Sequence, residues 1–120
     1  INMAQSLGNY INGKWQEAGG GSLTSCDPVT RETLWSGRCS SDEDIDLALK
    51  EARRASLSWA KTDIQQRIVF LNNFKEKLTE KKEHLAQTIS GEVGKPFWES
   101  LTEVQAMIGK IDISIEAQKE

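Results

Sequence analysis

The sequence holds one histidine and two cysteines among 120 residues, a scarcity that removes most metal and redox chemistry at the outset. Cys26 and Cys39 stand too far apart for a redox CxxC, and His84 is remote from both, so no zinc-ligand spacing exists. The two thiols are expected to be buried or half-buried structural residues. His84 lies in "EKKEHLAQ", where a solvated histidine on a charged helix surface is the expectation. Neither sign of charge dominates: 15 basic and 18 acidic residues give a net charge of −3, mixed along the chain. That balance offers no electrostatic footprint for nucleic acid and no polybasic patch for a membrane. No apolar run nears the roughly 18 residues of a membrane span. The opening "INMAQSLGN" also lacks the basic and apolar regions of a signal peptide. A cytoplasmic protein with no nucleic-acid or membrane partner is expected.

What is present divides into an extended first third and a helical remainder, an α+β pattern. Residues 1–8 read as a disordered or extended leader. In "NYINGKWQ", Asn12-Gly13 sits between two short β-prone runs and supplies the positive φ angles of a two-residue hairpin turn. "EAGGGS" reads as a flexible loop, since successive glycines are costly to order. "SLTSCDPVTRETLWSGR" then reads as strand, turn, strand, with Asp27-Pro28 starting the turn. Two hairpin-like excursions therefore precede three to four helices.

The first helix is expected to open on a capping box of Ser40 and Glu43, with Ile45, Ala48, Leu49, Ala52, Ala55 and Trp59 on one face. A second box, Thr62 with Gln65, opens a long helix running to Ser90. Ile64, Ile68, Leu71 and Leu78 form its stripe, with Phe70 and Phe74 alongside. Its charged half, "KEKLTEKKEH", reads as a solvated face. A last helix follows Pro96, with Trp98, Leu101, Val104, Ile108, Ile111 and Ile115 as its buried stripe and Met107 beside it. The tryptophans Trp15, Trp35, Trp59 and Trp98 are expected to pack in a core, because no basic groove exists for base stacking. The sequence ends within this periodic helix without a closing signal, which suggests a fragment.

The stretch "SGEVGKPFWESLTEVQAMIGKI" invites comparison with a phosphate loop and fails it. Such a loop needs GxxxxGK and then Ser or Thr, coming off a strand. Here the spacing is Gly91-x-x-Gly94, Pro96 follows Lys95, and a helix precedes. The stretch reads as a helix break, with Gly91 and Gly94 ending one helix and Pro96 beginning the next.

The same residues carry a resemblance. "GEVGKP", followed by Glu103-Val104, looks like the "E-x-GKP…E-V" corner of the NAD(P)-dependent aldehyde dehydrogenases. "YINGKW" resembles that family's opening hairpin, and "DPVTRETLW" its "NPxTGE" strand-turn-strand. The run from "SSDEDIDLALKEARRASLSWAK" to "HLAQTIS" is similar to its first two helices, including the Arg67 position. These four motifs occur in the family's order over about Asn9 to Glu120. A narrower likeness lies in "TEVQAMIGKIDISI", which resembles the N-succinylglutamate 5-semialdehyde dehydrogenases of arginine breakdown, Gly109-Lys110 standing where most relatives carry bulky residues.

The resemblance implies that residues 9–120 are the incomplete N-terminal portion of the α/β NAD-binding domain. In the family the cysteine nucleophile, the water-activating glutamate, the oxyanion asparagine and the nicotinamide-binding βαβ units all lie downstream of such a segment. No residue here matches them. The resemblance therefore makes neither Cys26 nor Cys39 the nucleophile, and no catalytic or cofactor-binding residue is expected. NAD or NADP belongs to the full-length enzyme, a homo-oligomer in this family, and no tight binding by these 120 residues is expected. Some members hold a monovalent cation on backbone carbonyls, and the corresponding positions are Ser25, Cys26 and Glu92. The last helix borders the family's substrate tunnel. Thr102, Ala106 and Lys110 share one face, and Lys110 either attracts a substrate carboxylate or is a surface lysine paired with Gln105 or Glu103. A different reading keeps the chain as a stand-alone helical interaction module or a remnant without catalysis. Under either reading, exposed apolar faces lead to self-association.

Overall fold

Residues 4–5 and 8–119 are described by the structure, a computed structural model. The chain divides into two compact units, Ile1–Lys61 and Thr62–Glu120.

The first unit begins with strand β1 (Ala4–Gln5), which runs parallel to β5. The rest of the expected leader lies outside the described residues, apart from Gly8. Strands β2 (Asn9–Ile11) and β3 (Lys14–Gln16) form the anticipated hairpin, pairing Tyr10 with Trp15 and Ile11 with Lys14. Asn12 and Gly13 take φ of 51° and 75°, as a turn matched to the twist of the strands requires. Strands β4 (Ser22–Cys26) and β5 (Thr33–Arg38) pair antiparallel, giving a sheet of order β1-β5-β4. The turn between them is built by Asp27, whose Oδ1 accepts from the amides of Val29 (2.7 Å) and Thr30 (3.0 Å). Those two bonds hold its carboxyl below the ordinary aspartate range.

The glycine loop is not the flexible segment its composition suggests. Gly20 donates to the carbonyl of Cys39 and Cys39 to that of Gly21, both at 2.8 Å. Gly19 donates to Asp44 Oδ2 (2.7 Å), and Arg38 Nε closes on the Gly20 carbonyl (2.8 Å). Helix α1 (Asp42–Trp59) starts one residue later than expected: the box is Ser41 with Asp44, in place of Ser40 with Glu43. The Ser40 hydroxyl donates to Asn9 Oδ1 (2.9 Å), which leaves Ser41 Oγ to accept from the Asp44 amide (3.2 Å). Asp44 thus ties loop to helix, accepting from both Gly19 and Ser41, and these bonds lower its pKa from 3.8. A lowered carboxylate stabilises fully above the unfolded value and loses that contribution as pH falls through the folded one. Acid titration of α1 melting should show this loss below about pH 3.8. Asp44→Ala should lower the melting temperature even at neutral pH and shrink the acid limb, with Asp27 and Glu43, also held low, supplying what remains.

The second unit contains α2 (Ile64–Glu80), α3 (Lys82–Val93) and α4 (Phe97–Ala117). The single long helix expected from Thr62 to Ser90 is broken at Lys81, where φ −98° and ψ 10° leave the helical region. The break lets α2 bring Leu78, and α3 bring Ala86, against α4 separately. The start also differs from the expected Thr62–Gln65 box. Asp63 is the cap, its carboxylate accepting from the Gln65 amide (2.9 Å), and Thr62 instead accepts from Arg67 Nε through its carbonyl (3.1 Å). Leu78, Ala86, Val104, Ile108 and Ile111 form the core, flanked by Leu85, Ile89, Leu101 and Ile115. Lys75 pairs with Asp112 (2.6 Å) and Lys82 with Gln105 (2.7 Å), pinning α2 and α3 to α4 at the surface.

Several expected core residues stay outside. Trp15, Trp59 and Trp98 are 57%, 47% and 68% exposed, and only Trp35 is half-buried. Helix α1 has no buried residue, and of the expected α2 stripe only Leu78 is buried. Met107 is exposed as well. The described core holds few large side chains, and thin layers of this kind cannot cover both faces of their helices. Cys26 and Cys39 are exposed, contrary to expectation, because one ends an edge strand and the other follows the last residue of β5. His84 is exposed as expected.

Candidate functional site

The Gly94-Lys95-Pro96 corner between α3 and α4 is a built joint. Gly94 caps α3 in the left-handed region at φ 75°, and its amide donates to the Ser90 carbonyl (2.9 Å). Gly91, expected to share the ending, lies inside α3. Ser90 Oγ donates to the Lys95 carbonyl (2.7 Å), bridging the break. Lys95 Nζ reaches forward to the carboxylate of Glu103 on α4, and that hydrogen bond raises its pKa above the ordinary lysine value. Ser100, fully buried, donates its hydroxyl to the Pro96 carbonyl (3.3 Å). A lysine committed to a carboxylate is a poor phosphate ligand, so the corner's geometry agrees with the failed loop spacing. Ser90, Ser100 and the Lys95–Glu103 pair were not foreseen as a set, because nothing periodic connects them across the break.

Thr102, Ala106 and Lys110 all lie on α4 and all are exposed, on the side away from Val104, Ile108 and Ile111. Glu103 and Gln105, the neighbours suggested for Lys110, are held by Lys95 and Lys82. Gly109 lies beside this face, and a Cβ built there would meet nothing within 4 Å. The face can therefore present an uncharged surface with one cation at its margin.

The cation positions fall in different units. Ser25 and Cys26 end β4, at an irregularity in its pairing with β5, and Glu92 lies in the last turn of α3. Among the described residues no group of three or more His, Cys, Asp or Glu side chains could hold a metal ion. A hollow of about 590 Å³ in the first unit is lined by Trp15, Glu17, Leu23, Ser36 and Arg38 among others. Among the described residues no helix is long and apolar enough to cross a membrane.

Comparison with known proteins shows the family. The profile of the aldehyde dehydrogenase family matches residues 15–120. An N-succinylglutamate 5-semialdehyde dehydrogenase from Hahella chejuensis is 43% identical over 111 residues, covering 92% of this chain and 23% of that protein. One from Serratia proteamaculans is 45% identical over 108 residues, covering 90% of this chain and 22% of the relative. Among solved structures, an aldehyde dehydrogenase from Bartonella henselae superposes with a TM-score of 0.92 at 28% identity, covering 98% of this chain and 25% of that one. An NADP-dependent glyceraldehyde-3-phosphate dehydrogenase from Bacillus halodurans, solved with NADP, gives 0.84 at 27% identity over 88% of this chain and 22% of its own. The chain thus spans about a quarter of the length of the relatives it matches.

Proposed function

The chain belongs to the aldehyde dehydrogenase family, and from that premise we propose that it is the amino-terminal part of an NAD(P)-dependent enzyme oxidising N-succinylglutamate 5-semialdehyde to N-succinylglutamate in arginine catabolism. The observation carrying this reading is the 43–45% identity to relatives of that activity, over nine-tenths of the chain. NAD or NADP accepts the hydride in such a reaction. On this reading coenzyme and nucleophile belong to other parts of a longer polypeptide, and Lys95 serves the corner through its pair with Glu103. The 120 residues alone are inactive on this reading, act as scaffold for the remainder of the dehydrogenase, and work within a cytoplasmic homo-oligomer. The family likeness extends to backbone carbonyls at Ser25, Cys26 and Glu92 as positions where some members hold a monovalent cation, oxygen donors suiting a hard ion.

Thr102, Ala106 and Lys110 line the substrate passage, Ala106 leaving room and Lys110 drawing in a carboxylate of the dianionic succinylated aldehyde. Expressing the reading frame through and beyond the codon for Glu120 and assaying coenzyme reduction with this aldehyde tests the activity. Turnover by the longer product and none by the 120 residues supports the reading; a longer product inert toward aldehydes removes it. In an active enzyme, Lys110→Ala should raise KM for the succinylated substrate roughly tenfold, the effect of about 1.4 kcal/mol of lost binding. A neutral aldehyde should be little affected. Equal changes for both would sink the role of Lys110.

A further inference from the structure

The Asn12-Gly13 turn joins β2 to β3, and its two residues carry a reactivity that the hairpin does not use. Both are exposed. The ladder closes at the Ile11–Lys14 pair, which leaves the Gly13 amide outside it. Gly13 has no side chain to shield that nitrogen, and a Cβ built there would meet nothing within 4 Å. Strands β2 and β3 form a sheet of two strands, and a two-stranded hairpin is marginal in water. Its tip therefore opens readily, and the backbone around Asn12 can turn.

We propose that Asn12 is a site of spontaneous deamidation that unlatches this hairpin. The Gly13 nitrogen attacks the side-chain carbonyl carbon of Asn12 and loses its proton to water. The new C–N bond closes a cyclic imide as the carboxamide C–N bond breaks, and the departing group takes up a proton and leaves as ammonia. Water then opens the ring. Attack at the side-chain carbonyl leaves aspartate; attack at the backbone carbonyl leaves isoaspartate, with the main chain routed through the side-chain carbons. No oxidant or reductant takes part. The reacting atoms belong to adjacent residues, so the step needs no group from the remainder of a longer polypeptide and is independent of the dehydrogenase reading.

Either product disturbs the hairpin. Isoaspartate adds a methylene to the main chain of a two-residue turn, so Ile11 and Lys14 no longer meet in register. The Tyr10–Trp15 ring contact, with centroids 5.0 Å apart, goes with them. Aspartate instead places a new carboxylate at the hollow that Asn12 lines together with Glu51 of α1. Arg54 pairs with Glu51 (2.6 Å) and offsets one of the two charges. The effect reaches α1 by a second route. Strand β2 begins at Asn9, whose Oδ1 accepts from the Ser40 hydroxyl, and that bond leaves Ser41 to cap the helix through the Asp44 amide.

Ageing the chain at physiological temperature in mildly alkaline buffer, then locating each modified residue by digestion and tandem mass spectrometry, tests the proposal. An amide-to-acid mass gain should accumulate at Asn12, with isoaspartate the main product. Asn9, Asn72 and Asn73 are controls within the same molecule and should remain amides. Asn9 precedes bulky Tyr10, and the other two lie inside α2. Asn12→Gly keeps a turn sequence suited to positive φ and has no carboxamide to react. Aged wild-type chain should lose amide protection across β3 and at Asp44, while aged Asn12→Gly keeps both. A mass gain absent from Asn12, or equal at all four asparagines, overturns the site. Modification at Asn12 with β3 protection unchanged overturns the unlatching, and equal loss of protection in Asn12→Gly assigns it to a cause other than deamidation.

Discussion

Val104→Asp should unfold the second unit. Val104 is fully buried at the centre of the cluster formed by Leu78, Ala86, Ile108 and Ile111, where α2 and α3 both rest on α4. An aspartate there has no cation within the cluster. It must either remain charged without water or take up a proton and still leave its oxygens without donors. Added to the lost valine packing, this costs roughly 4 kcal/mol or more. A unit so short holds only about 3–5 kcal/mol in a single core, so the substitution consumes most or all of its stability. Circular dichroism should show the helical signal of α2 to α4 largely lost. Val104→Ala, which removes only two methyl groups, should cost roughly 2 kcal/mol and leave the unit folded. Leu57→Lys on exposed α1 provides the comparison and should stay within about 0.5 kcal/mol. If Val104→Asp proved as mild as Leu57→Lys, α4 would not be the helix on which the unit is organised.

How far these features could be read from sequence depends on the range of the interaction that decides them. The Asn12-Gly13 turn and the Gly94 cap follow from which residues tolerate positive φ, so they were legible. The inward side of α4 was legible too, because Val104, Ile108 and Ile111 keep helical period over a long segment. The capping register of α1 was missed by one residue, since it depends on Asn9, far away in sequence, engaging Ser40 and leaving Ser41 free to cap. The break at Lys81 carries no glycine or proline; it follows from packing two helices on a third. The tryptophans misled for a related reason. Helical spacing shows which residues share a face, and says nothing about whether a partner covers it. The same holds for the candidate site. Spacing puts Thr102, Ala106 and Lys110 on one face of α4, where all three are exposed, but what that face meets is a matter of surfaces beyond local pattern. The order of the motifs was informative in a different way. It pointed to the aldehyde dehydrogenase family, whose profile matches residues 15–120, although no single motif is decisive.

The first unit has its own critical contact, and Gly20→Ala should break it. Gly20 donates to the Cys39 carbonyl at 2.8 Å, and its own carbonyl accepts from Arg38 Nε. A Cβ at this position would lie 2.5 Å from the Cys39 oxygen and 2.9 Å from that of Ser40. Both obstacles are backbone, so neither can swing away as a flexible side chain would. Relief requires the loop to retreat from the end of β5, which breaks the Gly20–Cys39 and Cys39–Gly21 bonds together. It also draws Gly19 away from Asp44, so the strain reaches the cap of α1. Overpacking of this kind costs about 1–3 kcal/mol, and each lost hydrogen bond adds about 1 kcal/mol. The sum rivals the stability of a unit this small. Gly21→Ala is the matched control, because a Cβ there meets nothing within 4 Å. Amide hydrogen exchange should show Gly20 and Cys39 losing protection in Gly20→Ala while the amides of α4 keep theirs. Loss of protection throughout α4 as well would mean that the two units do not unfold independently. Equal protection in Gly20→Ala and Gly21→Ala would mean that the loop is not held by the Cys39 backbone.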